Sequence, residues 1–414
     1  MTVKRVLFFA EAVTLAHVAR PLALARGLAA GNYEPFIACD SRYRRFIERE
    51  PWPNLPLHSI SSERFLRSLA KGSPVYDVQT LRAYVTEDLK LIHSVKPDLI
   101  VGDFRLSLSV SARLAGIPYA AISNAYWSPY YVRKNFPLPV LPITRVLPLP
   151  VAGALFRLAR PLAFKLHCAP LNRLRRESGL AELGDDLRRI YTDADFTLYA
   201  DAPSMFPTEN LPTNHQYLGP VIWSPPVDLP SWWNDVPGDR PIVYVTLGSS
   251  GESSISRLVL DALAELPLTV LASTAGAPLT ARYPPNIFVA DYLPGLDAAA
   301  RSQLVVCNGG SPTSQQALAA GVPVLGIASN MDQFLNMLAI TEANAGAVVR
   351  ADRVRRASVC KIAEMLLSSA ACRTAAAGLA ASHQPTVALR FCAFVDAATV
   401  QPTAEPRSVA AATT

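Results

Sequence analysis

The stretch VVCNGGSPTSQQALAAGVPVLGIASNMDQFLN, residues 305–336, decides how this chain is to be read. The apolar run Leu304–Cys307 predicts a buried strand, and Asn308, Gly309 and Gly310 predict a tight turn after it. A helix is expected to open near Ser311, Pro312 and Thr313, because proline fits a first helical turn and a hydroxyl caps one. A second turn, Gly321–Pro323, leads into apolar Val324–Ala328 and then to Asp332, Gln333 and Asn336. Adjacent glycines let backbone N–H groups approach a ligand closely, and a helix N-terminus adds unpaired donors and the positive end of a dipole. The expectation is an anion site, for a phosphate. The polar group one strand later would hold whatever that phosphate carries.

Outward from this stretch, apolar strands and helical segments alternate through both halves of the chain. At 414 residues it exceeds what one hydrophobic core usually sustains, so two domains are expected. Half the residues are hydrophobic and only 17% are charged, which suits parallel sheets buried on both faces. The first half reads as Arg5–Phe9, a helix from about His17 to Ala30, Glu34–Ala38, a helix over Thr80–Val95, then Leu99–Val101. Residues 221–240 are rich in proline and tryptophan and read as a connection. The predicted division is residues 1–220, this linker, residues 241–400, and a small polar tail at 401–414 expected to be disordered.

The formal net charge is +6, but the basic residues are scattered and lack aromatic interleaving, so no nucleic-acid partner is expected. Six cysteines without a CxxC pair predict buried free thiols, and no cluster with metal-ligand spacing stands out. The apolar run after the basic N-terminus is broken by Glu11 and reads as a strand rather than a signal peptide. No run reaches the ~20 apolar residues of a membrane span, so a cytoplasmic protein is expected.

The ordered set Gly310, Thr313, Ala317-Leu318, Gly321-Val322-Pro323, Asp332-Gln333 and Asn336 resembles the nucleotide-sugar signature of the UDP-glycosyltransferase superfamily, including its bacterial macrolide and natural-product enzymes. That resemblance implies the GT-B architecture: an α/β protein of two doubly wound, parallel-sheet, Rossmann-like domains facing across a cleft. The N-terminal domain would bind the acceptor and the C-terminal one the nucleotide-sugar donor. Where the family carries a leading His, this chain has Asn308, which can donate a hydrogen bond but carries no charge. Gly248, Ser249 and Ser250 resemble the family's phosphate- or ribose-contacting loop, and Tyr292 and Leu293 match its base-binding segment. The implied co-substrate is a UDP- or dTDP-sugar, with no other cofactor.

Transfer to a hydroxyl needs a base. AHVARPLALARGL, residues 16–28, is similar to the family's segment whose His is that base, which points to His17; Pro21 sits one place later than the family's Pro. An imidazole titrates near neutrality and suits the task. Asp103, after the strand Leu99–Val101, matches the carboxylate that partners the family's His. His58, His93, His215 and His383 have no such context. The resemblance thus implies an inverting, metal-independent transfer.

The acceptor side is less legible. Tyr126, Trp127 and Tyr130 follow a predicted strand and are candidates to face the acceptor. Residues 137–176 combine apolar and basic side chains, so they could line a greasy pocket or touch a membrane surface. Their prolines, however, are expected to interrupt any long amphipathic helix, which favours a variable loop and helix packed on the domain. Both features point to a small hydrophobic or lipid-like acceptor. The alternative is a catalytically weak nucleotide-sugar binding partner of another transferase, suggested by Asn308 and the displaced Pro21.

Overall fold

The computed structural model of the chain describes residues 3–28, 31–248, 253–276, 283–380 and 386–400. Strands form where short apolar runs are hidden on both faces: Leu99–Asp103, Leu304–Cys307 and Val324–Ala328 are buried along their whole length. Such runs are stable only in a sheet covered by helices on both sides.

The first sheet contains β1 (Lys4–Ala10), β2 (Tyr33–Cys39), β3 (Asn54–Pro56), β4 (Leu99–Asp103), β5 (Tyr119–Ser123), β6 (Phe196–Tyr199) and β7 (His215–Tyr217), in the order β3-β2-β1-β4-β5-β6-β7. The second contains β8 (Ile242–Thr246), β9 (Thr269–Ser273), β10 (Ile287–Ala290), β11 (Leu304–Cys307), β12 (Val324–Ala328) and β13 (Gly346–Arg350), in the order β10-β9-β8-β11-β12-β13. Neighbours in both are parallel, with Ala10 beside Asp103 and Thr246 beside Cys307. The winding reverses between β1 and β4 and again between β8 and β11. Ligands in open α/β sheets bind at such switch points, beyond the carboxyl ends of the strands.

Along β1 the side chains alternate between two helix layers. Val6, Phe8 and Ala10 pack with Val18 and Leu22, while Leu7 and Phe9 pack with Ile92 and Val95. Each such buried side chain contributes about 1.5–3 kcal/mol, which anchors the strand ends that carry the site.

Two expectations need correction. The chain does not stay in its second domain to residue 400: the helix Val387–Val400 returns to the first, where Phe391, Phe394 and Val395 join its core and Lys4 pairs with Asp396. Nor do the prolines after Leu149 break the segment before residue 177, although the short helix Pro142–Val146 does end just before Pro148. Leu149–Glu177 is one helix of 29 residues with Pro161 and Pro170 inside it. An interior proline costs about 3 kcal/mol. Burial of Cys168, Leu171, Leu174 and Arg175 at its C-terminal end offsets that cost. Residues 401–414 lie outside the described residues.

Candidate active site

At the first switch point the helix Ala16–Leu28 starts beyond β1, with His17 in its first turn, and β4 ends on Asp103. His17 Nδ1 lies 2.8 Å from Asp103 Oδ1, which makes Nδ1 the donor and leaves Nε2 as the basic nitrogen. Arg20, one helical turn after His17, was not anticipated. Its Nε and a terminal nitrogen donate to both oxygens of Asp103 at 2.7 and 2.8 Å, and the other terminal nitrogen donates to Asn124 Oδ1 at 2.8 Å. Burial opposes the Arg20 charge, but the Asp103 carboxylate outweighs it and raises the guanidinium pKa. Arg20 stands where the family pattern carries proline, so the displaced Pro21 was the trace of it.

Phe104, the next residue along, holds a left-handed φ of 62° and stacks on the His17 ring at 4.8 Å. A non-glycine residue held there stores strain of order 1–3 kcal/mol, a mark of functional sites. Behind it Arg105 is fully buried, bonded to Glu11 and Asp88 at 3.0 Å.

At the second switch point the geometry belongs to the backbone. Gly309 has φ 79°, and a Cβ there would come within 2.7 Å of Met337 Cγ. Asn308 Oδ1 accepts from Gly310 N at 3.0 Å, closing a side-chain turn that delivers the chain into the helix Ser311–Ala319. Gly248 (φ 66°) approaches from the first turn of the same sheet, its missing Cβ 3.3 Å from Asn308 Nδ2. Ser249 and Ser250 lie outside the described residues.

One cavity of about 670 Å³ takes in both switch points: His17, Arg20 and Asp103 line it together with Gly248, Asn308, Gly310, Ser311, Thr313, Asp332, Gln333, Tyr292 and Leu293. Other expected residues are placed differently. Asn336 is buried and braces the turn, donating to Gly309 O and Ser314 Oγ, both at 2.8 Å. Gln333 spends its side-chain oxygen capping the helix Met331–Glu342 with Asn330. The Tyr292 hydroxyl donates to Ala275 O, and Arg45 of the first domain covers its ring at 4.1 Å. Of the three aromatics, only Trp127 lines the cavity, and its Nε1 donates to Asp332 Oδ1 at 2.8 Å across the two domains. Tyr126 turns into a core cluster against Phe206, and Tyr130 packs on His215. The 3₁₀ turn Ala125–Trp127 points successive residues apart, so Tyr126 and Trp127 cannot share one face.

The two sides are also tied together below the cavity. Asn124 donates to Asp201 at 3.0 Å and to Ser311 Oγ at 3.4 Å, linking the Arg20 clamp to the helix Ser311–Ala319. Burial pushes the Asp201 carboxyl up to about 6, against the N–H donors around it.

Comparison with known proteins bears on the family and the fold. Residues 257–387 match the family model of the erythromycin biosynthesis protein CIII-like C-terminal domain. A PGL/p-HBAD biosynthesis glycosyltransferase of Mycobacterium tuberculosis is 54% identical over 93% of this chain and 90% of its own length. A PGL/p-HBAD biosynthesis rhamnosyltransferase of Mycobacterium bovis is 55% identical over 91% of this chain and 84% of its own. Among solved structures, a Streptomyces glycosyltransferase complexed with thymidine diphosphate superposes with a TM-score of 0.68 at 18% identity, covering 95% of this chain and 99% of that one. The chain belongs to the family of these mycobacterial glycosyltransferases, within the UDP-glycosyltransferase superfamily, and is a glycosyltransferase of GT-B fold.

Proposed function

We propose that this glycosyltransferase moves a sugar from a nucleoside-diphosphate donor to a hydroxyl of a hydrophobic, lipid-like acceptor, inverting the anomeric carbon. The observation that carries the reading is that His17, fixed by Asp103, and the Asn308–Thr313 turn open onto one cavity. The donor diphosphate lies on the backbone N–H groups of that turn and the following helix N-terminus, which meet the charge that develops on the leaving oxygen. Asp332 and the amide nitrogen of Gln333 bind sugar hydroxyls. His17 Nε2 takes the acceptor's hydroxyl proton while its oxygen attacks the anomeric carbon and the bond to the phosphate oxygen breaks. Asp103 stabilises the imidazolium, and Arg20 holds both oxygens of that carboxylate in place.

An apolar acceptor is supported by the first-domain wall of the cavity, where Phe65, Leu66, Leu141, Ile143, Phe156 and Phe164 come together. The PGL/p-HBAD names of the relatives support the same class. Thermal stabilisation by UDP, dTDP and GDP tests the donor half: one uridine or thymidine diphosphate should raise the melting temperature, because it binds only the folded state. No rise with any of them would sink the donor reading. The anomeric configuration of the product, read by proton NMR against that of the donor, tests inversion, and retention would rule out a single displacement.

A further inference from the structure

The helix Leu149–Glu177 faces two ways. Its inner side lines the acceptor half of the cavity with Phe156, Ala159, Ala163 and Phe164. On its outer side Val151, Leu158, Leu162 and Leu166 are 47%, 79%, 62% and 53% exposed. At helical spacing these four positions fall within an arc of about 80°. Leu155 belongs to both sides, 42% exposed and lining the cavity, so one side chain joins the leucine stripe to the cavity.

The charge along this segment of the chain has one sign until Glu177. Between residues 137 and 176 there are seven lysines and arginines and no acidic residue. Arg145, Arg157 and Lys165 are exposed, and the ion pair of Lys165 with Asp185 is loose at 3.7 Å. A helix serving only to pack the domain would turn polar groups outward; this one turns leucines outward, with Lys165 and Arg157 along one edge of them. Such a face complements an anionic bilayer, whose interface takes apolar side chains at the acyl boundary and cations at the phosphates. No helix among the described residues is long and apolar enough to cross a membrane, so the contact is one of lying on the surface.

We propose that the outer face of Leu149–Glu177 docks the protein on an anionic lipid surface. Leu158, Leu162 and Leu166 enter the headgroup boundary, and Arg157 and Lys165 meet the phosphates. An amphiphilic acceptor then passes from the bilayer to the cavity past Leu155, without crossing water. This rests on the reading of the acceptor as lipid-like, but its test does not use the acceptor.

The experiment is flotation of the full chain with vesicles of phosphatidylcholine alone or of equal parts phosphatidylcholine and phosphatidylglycerol, at low and high salt. Binding to the anionic vesicles should exceed binding to neutral ones by about tenfold or more and weaken with salt. The double variant Leu158→Glu/Leu162→Glu should lose about tenfold of that binding, with melting temperature and nucleotide stabilisation unchanged. A second pair, Arg157→Glu/Lys165→Glu, should abolish the preference for anionic vesicles. Equal binding by wild type and the leucine variant would overturn the proposal. So would a wild-type dimer, seen by sedimentation and split by the leucine substitutions, that ignores vesicles: the stripe would then be covered by a second copy. Failure of nucleotide stabilisation with vesicle binding intact would count against the donor reading alone.

Discussion

The two switch points are built from different materials. At the first, charges hold the geometry: His17 and Arg20 share the Asp103 carboxylate, and Arg105 lies fully buried between Glu11 and Asp88. At the second, the backbone holds it, through the left-handed Gly309, the turn closed by Asn308 and the start of the Ser311–Ala319 helix. The contrast matches the chemistry proposed for each side. A proton must be taken by one particular nitrogen, which needs charged neighbours to fix a tautomer. A diphosphate spreads its charge over many oxygens, which a fan of N–H groups matches without any charged side chain. The first region should therefore fail when a charge is removed, and the second when volume is added.

The largest effect is expected for His17→Ala, which removes the proposed base and should lower turnover by about 10²–10⁴-fold. Stabilisation by the donor nucleotide should survive, because that half of the cavity is untouched. Turnover within a few-fold of wild type would move the base to another residue.

Next comes Arg20→Leu. It leaves Asp103 buried without its bidentate partner and should cost about 3–5 kcal/mol in denaturant unfolding. Arg20→Lys restores the charge but not the fork and should recover only part of it. A loss below about 1 kcal/mol would show that the charges decorate the first switch point rather than hold it.

On the other side, Gly309→Ala puts a Cβ against Met337 at a left-handed φ. It should cost about 1–3 kcal/mol and weaken nucleotide binding, although no charge changes. A neutral result would erase the contrast.

The smallest effect concerns pH. Burial lowers the pKa of His215 to about 4 from its ordinary 6.5, beside Tyr199 and Tyr130 at the edge of the first sheet. The folded state thus binds fewer protons than the unfolded chain in this window. Its contribution to stability is full above about 6.5 and is lost as pH falls through about 4. His215→Gln should flatten that part of a melting-temperature profile. An unchanged slope would place the acid sensitivity in the buried carboxylates instead.

Sequence by itself determined the two-domain α/β architecture and the Asn308–Thr313 turn, both written locally: continuous apolar runs specify parallel strands, and glycines with a following proline specify a turn into a helix. Its resemblance to a known family named His17 and Asp103, 86 residues apart, and the fold put them in contact. What joins residues far apart was decided only by the folded chain. Arg20 reads as an ordinary helical arginine until β4 brings Asp103 beside it, 83 residues away in sequence. Asn336 looks like a ligand group until Gly309 O and Ser314 Oγ occupy its amide. The proline-bearing helix Leu149–Glu177 and the return of Val387–Val400 to the first domain go against local propensity and chain order. Burial against distant side chains overrides a proline's local penalty, and no window of neighbouring residues contains that burial.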